Sequence, residues 1–161
     1  GNQIDNSWNK DTALALKLNN VTFSVKIREN DKKDIERKYI KDKKSRRDAK
    51  ENRKVVVLLY TFLLYKLLTE SNGIAKKFKL CNDISPAKDV YIYLNKICKY
   101  YNRQPLEQSM NIRFKKHGEP RSKAHNVANK TYKGRLKENY LIKSKDVEDF
   151  QQLVKVILNF G

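Results

Sequence analysis

The stretch VVVLLYTFLLYKLL, Val55 to Leu68, constrains the fold more than any other part of the chain. Its apolar residues fall on every side of a helix rather than along one stripe, so such a helix must be covered all round. It is too short for a bilayer core, which needs about 20 apolar residues, and it contains Lys66. The run therefore reads as a buried helix. With 161 residues, 39% of them apolar, residues 1–161 suffice for one domain with a proper core.

The residues just before the run are of opposite character. From Asp31 to Lys54 there are twelve Lys or Arg and six acids. The pattern predicts one helix whose charged first half projects into solvent or over a ligand and whose second half is buried, with Ser71-Asn72-Gly73 as the stop.

A hairpin precedes that helix. In TALALKLNNVTFSVKIR, Leu14, Leu16 and Leu18 alternate with Ala or Lys, and Val21, Phe23, Val25 and Ile27 alternate with Thr, Ser and Lys. An Asn19-Asn20 turn, in which Asn tolerates positive φ, pairs 18 with 21, 16 with 23 and 14 with 25. Those pairs place every large apolar side chain on one face, so turn and pattern agree on the register. Downstream, AKKFKLCND reads as a strand ending at Asp83, and Ser85-Pro86 starts a helix with Val90, Leu94, Ile97, Cys98 and Tyr101 at core spacing. SMNIRF reads as a strand, PRSKAHNVANKTYKGR as a helix ending before Gly134, and YLIKS as a small extra strand. DVEDFQQLVKVILNF closes the chain as an amphipathic helix with Val147, Phe150, Val154, Ile157 and Leu158 inward. The fold class is α/β: a single domain with a mixed sheet and an N-terminal antiparallel hairpin.

Thirty-six Lys and Arg against 18 Asp and Glu give a net charge of +18. Self-repulsion at that charge opposes compaction and calls for an anionic partner. Nucleic acid, DNA or RNA, comes first, because every phosphate contact releases condensed counterions. An anionic membrane surface comes second, and a Lys-rich composition that merely makes a soluble surface is the plainest alternative. Cys81 and Cys98 lie in apolar contexts without Cys-x-x-Cys spacing, which argues against a disulfide scaffold or zinc ribbon and for a reducing cytoplasmic setting. No phosphate-binding P-loop, dinucleotide fingerprint, zinc-finger spacing or serine-hydrolase elbow occurs, which disfavours a nucleotide-driven motor and a serine hydrolase.

The segment RFKKHGEPRSKAHNVANKTYKGR gathers the charge. Arg113, Lys115 and Lys116, then Arg121 and Lys123, then Lys130, Lys133, Arg135 and Lys137 fall in one strand-loop-helix unit. Arg121 and Lys123 lie in the first helical turn, whose amides also favour an anion. Lys130, Lys133 and Lys137, three and four apart, predict one cationic stripe. Tyr132 and Tyr140 are candidates for stacking on bases or for packing.

Asp5 in IDNS stands ahead of the hairpin, which is followed by a helix and then a strand ending in Asp83. This order resembles the ribonuclease H-like superfamily. The resemblance implies a two-metal site for phosphodiester cleavage, with carboxylates binding Mg²⁺ or Mn²⁺. Position by position, it implies Asp5 as the first-strand acid, Asp83 as the acid ending a later strand, and Glu51 as the helix acid, with Glu36 and Glu70 behind it. His125 in KAHNVAN would be the ligand on the late helix. Two function classes result: a metal-dependent nuclease, and a non-catalytic basic nucleic-acid-binding module of a larger ribonucleoprotein or replication complex.

Overall fold

The computed structural model describes residues 8–18, 20–42, 44–72, 77–80, 87–106, 111–114, 119–120 and 123–160. Strands β1 (Thr12–Leu18) and β2 (Val21–Ile27) form the hairpin in the predicted register, with Leu18 opposite Val21, Leu16 opposite Phe23 and Leu14 opposite Val25. Turn and alternation demand the same pairing, so no competing register buries as much apolar surface. Asn19 itself lies outside the described residues.

The charged segment is two helices rather than one. Helix α1 (Glu29–Tyr39) ends at Ile40, whose backbone is extended, and α2 (Arg46–Glu70) begins after Ser45. The Ser45 hydroxyl accepts the Asp48 amide at 3.2 Å, filling one of the orphan donors of a helix start. The link between the helices is clamped from α2. The Asn52 side chain accepts the Lys41 amide at 2.9 Å and donates to the Lys41 carbonyl at 2.7 Å. Nor does α1 simply project into solvent, because Lys32, Ile35 and Tyr39 are buried.

From Val55 to Leu68 every residue of α2 is buried except Lys66. The helix packs against α3 (Ala87–Tyr100), α5 (Ser144–Leu158) and both hairpin strands, which gives the all-round cover its composition requires. Helix α3 turns Val90, Leu94, Ile97 and Cys98 inward, and α5 turns Val147, Phe150, Leu153 and Val154 inward. Phe62 and Phe150 meet at 5.6 Å between ring centres.

The expected single mixed sheet appears as two sheets among the described residues. One has the order β1-β2-β5, where β5 (Tyr140–Leu141) adds in parallel to β2. The other pairs β3 (Lys77–Leu80) in parallel with β4 (Asn111–Phe114) across α3. The protein is therefore mixed α/β with five helices and a small three-stranded mixed sheet among the described residues.

The two faces of the hairpin differ, and that difference positions the site. Leu16, Val25 and Ile27 point into the apolar core with α2. The opposite face carries Ala13, Ala15 and Ser24, with Ala13 and Ser24 fully buried. Helix α4 (Lys123–Tyr132) contacts both strands, and its own buried residues are small, Ala128 and Thr131. Small side chains on both partners let helix and sheet approach closely, so α4 covers the small-residue face while α2 covers the other.

Candidate nucleic-acid interface

Seating α4 by Ala128 and Thr131 fixes which side chains face water. The Thr131 hydroxyl donates back to the Val127 carbonyl at 2.8 Å and stays satisfied within its own helix. Lys123, Asn126 and Lys130 are left on the exposed side. The helix is stopped at Gly134. The Arg135 amide donates to the Lys130 carbonyl at 2.9 Å and the Gly134 amide to Thr131 at 3.1 Å, the paired bonds of a Schellman cap. Gly134 has φ of +71°, a conformation that costs glycine nothing.

This cap corrects the predicted stripe. A helical count through Lys130, Lys133 and Lys137 crosses the cap, and Lys137 lies beyond it, off the helix. What remains is a cluster. Lys130 is on the helix, Lys133 sits at its end over the Tyr132 ring at 5.7 Å, and Arg135 and Lys137 lie on the turn beside the exposed Leu136. Between Lys123 and Lys137 the chain has five cations and no acid. All five are exposed. Arg113 lies on β4, while Lys115, Lys116 and Arg121 are outside the described residues.

The acids are distributed differently. Asp5 and Asp83 lie outside the described residues. Glu51 is in the first part of α2, where its carboxylate meets the Lys41 ammonium at 2.7 Å and the Arg47 guanidinium at 3.5 Å. The Lys41 hydrogen bond is the main reason its carboxyl is held below the usual carboxylate range. His125 is half-buried on α4. Among the described residues no three His, Cys, Asp or Glu converge on a point that would hold a metal ion. Glu51, shared between two cations, is a poor oxygen donor for Mg²⁺ or Mn²⁺ until both are displaced.

Two charged groups in the interior were not read from the sequence as sites. Lys66, the one charged residue of the apolar run, pairs with Asp146 at 2.9 Å, with both side chains nearly buried. Burial alone would raise the Asp146 carboxyl. The Lys143 amide, Lys66 and the Tyr140 hydroxyl outweigh it and hold it low. The rings of Phe62, Tyr101 and Tyr140 lie within 6.0 Å of the Lys66 ammonium, so cation–π contacts complete its surroundings. A lysine inside an apolar run is itself a signal that its ammonium needs buried polar partners. The second group is Lys32, fully buried, donating to Thr12 Oγ1 at 2.7 Å and the Lys10 carbonyl at 3.0 Å. Burial pushes its ammonium down to about 8, against the pull of Asp11, Glu36 and Glu29.

A shallow cleft of about 490 Å³ opens beside α1, lined by Asn9, Asn30, Lys33, Asp34, Glu36 and Arg37. Lys33 pairs with Glu29 and Arg37 with Asp34, so its cations are already neutralised and it offers little field to an anion. Among the described residues no helix is long and apolar enough to cross a membrane. Comparison with protein-family models, with curated proteins and with solved structures finds no match.

Proposed function

We propose that the chain is a nucleic-acid-binding α/β domain whose main phosphate contacts come from α4 and the turn after it. One observation carries this reading: the five exposed cations from Lys123 to Lys137, with no acid among them, two on a helix seated by its opposite face and three on the turn that caps it. Lys130 and Lys133 favour the C-terminal end of the helix dipole, but five like charges also repel one another, and phosphates relieve that repulsion. Arg113, Lys115, Lys116 and Arg121 precede the same helix in sequence and extend the contact. Binding of a generic oligonucleotide should then fall steeply with salt. At roughly −0.7 to −0.9 in log K per contact, five contacts give a slope of about −4, and a slope shallower than about −2 would remove the reading. Charge reversal at Lys130 and Lys133 should weaken binding to all sequences alike, because phosphate contacts carry no base information.

A second reading is a ribonuclease H-like nuclease. Its support is the order of elements: an antiparallel hairpin, the helices α1 and α2, a parallel β-α-β unit, and a late helix carrying His125 packed on the hairpin. Asp5, Asp83 and His125 would bear the metal, and Glu51 would join them only after release from Lys41 and Arg47. The test is Mg²⁺- or Mn²⁺-dependent cleavage of single-stranded, duplex and hybrid substrates. Asp83→Asn should abolish cleavage and leave binding intact. Cleavage by that variant at the wild-type rate rejects the assignment.

A further inference from the structure

Helix α3 carries an outer face that its packing does not use. Val90, Leu94, Ile97 and Cys98 make its inward side. On the other side Lys88, Ile92, Lys96, Lys99 and Tyr100 follow at helical spacing and all five are exposed. From Lys88 to Tyr100 the stripe runs about 18 Å, at roughly 1.5 Å per residue. Its three lysines form no ion pair among the described residues, and the one acid of the helix, Asp89, is half-buried beside the stripe. A solvated helix face ordinarily sets Glu against Lys at this spacing, which this one does not.

Tyr100 gives the face its chemistry. It is 38% exposed, so part of its ring is open to solvent. It is not loose. Its ring stands edge-on to Tyr101, with 5.1 Å between centres and 89° between planes. Tyr101 in turn stacks on Tyr65 of α2, at 5.1 Å and 5°, and its hydroxyl donates to Asp149 at 3.1 Å. A chain of rings rooted in the core thus holds an aromatic at the surface among lysines.

We infer that this outer face of α3 is a platform for single-stranded nucleic acid, with Tyr100 stacking on a base while Lys96 and Lys99 hold the adjoining phosphates. The inference rests on the nucleic-acid reading above and adds strandedness to it. A base inside a duplex has both faces covered by its neighbours, and only an unpaired base can lie flat on a side chain. The arrangement separates two contributions, charge from the lysines and stacking from the ring.

The test compares a short oligonucleotide with an abasic strand of equal phosphate number, by fluorescence anisotropy at about 50 mM salt, where phosphate contacts are strong. Wild-type protein should prefer the base-bearing strand by about 5- to 160-fold, the range expected for one stacked base. Tyr100→Ala should abolish that preference and leave the salt slope unchanged. Lys96→Glu with Lys99→Glu should keep the preference and reduce the slope by about 1.4, at roughly 0.7 per single-strand contact. Tyr100→Leu retains the packing against Tyr101 and should behave like Tyr100→Ala, which guards against a folding defect in the smaller variant. If both Tyr100 variants still prefer the base-bearing strand, the platform is wrong while the nucleic-acid reading stands. If wild-type protein binds neither strand, both fall.

Discussion

Removing the Asp146 carboxylate tests how the core tolerates a charge in the middle of its most apolar helix. Asp146→Ala takes away the partner of Lys66, the acceptor for the Tyr140 hydroxyl and the acceptor for the Lys143 amide at the start of α5. Breaking a buried pair by removing one member costs about 3–5 kcal/mol, because the remaining charge is left without its counterion. A lost helix cap adds about 1 kcal/mol. For a domain of this length 1 kcal/mol shifts Tm by roughly 2–4 °C, so a fall of about 10 °C or more is expected in a thermal melt. A double-mutant cycle with Lys66→Met isolates the pair. The methionine keeps the stem among Phe62, Tyr101 and Tyr140 and leaves Asp146 two hydrogen bonds, so it should cost less than Asp146→Ala. The double variant should be more stable than the sum of the two losses by at least about 1 kcal/mol. The sign with pH follows from the depressed carboxyl. Its contribution is complete above the unfolded carboxylate range and disappears as pH falls through the folded value. Strict additivity, or an Asp146→Ala loss under about 1 kcal/mol, would show that the pair is solvated and the reasoning wrong.

Two further outcomes follow from local geometry. Lys32 has a folded value near 8 against 10.5 when free, so between about pH 8 and 10 the unfolded chain holds a proton that the folded chain has shed. The Lys32 contribution to stability should rise by about 2 kcal/mol across that window at 1.36 kcal/mol per unit, so the difference between wild type and Lys32→Met in urea titrations at fixed pH should change by that amount. An unchanged slope in Lys32→Met would refute the assignment. Burial has raised the Tyr101 and Tyr140 hydroxyls, which opposes this trend from about pH 9 upward as unfolded tyrosines ionise. Gly134→Ala meets no atom within 4 Å of its new Cβ, so its cost is backbone strain alone, about 1 kcal/mol by denaturant melt. A neutral result would mean that the Schellman turn does not hold Arg135 and Lys137 in place.

The parts of the fold legible in the sequence are those where two local signals agree. The hairpin register was readable because alternation and a two-residue turn independently select the same pairs. The central helix was readable because an all-round apolar run has only one favourable place. The break between α1 and α2 was not. The charged residues on both sides have no apolar period to interrupt, and the clamp that fixes the break, Asn52 on the Lys41 backbone, joins residues 11 apart. The same limit hid the partner of Lys66, since Asp146 lies 80 positions away on another helix. Hydropathy says that a counterion is needed, and only the packing of α5 on α2 says which.

The candidate site divides along the same line. A cationic surface is a property of composition, and net charge survives any arrangement of the backbone, so the exposed lysines of α4 were foreseeable even though the stripe itself was cut by the Gly134 cap. A metal site depends on convergence. Glu51 precedes the buried run and so was placed as the helix acid, yet its sequence neighbours also include Arg47 and Lys41, and these take its carboxylate. In a chain with twice as many cations as acids, an exposed carboxylate finds a lysine or arginine more readily than it finds a metal. An acid can keep its oxygens for a divalent ion here only where the backbone holds it beyond the reach of those side chains. A substitution at Glu51 also breaks its pairs with Lys41 and Arg47, so Asp83→Asn is the more discriminating test of catalysis.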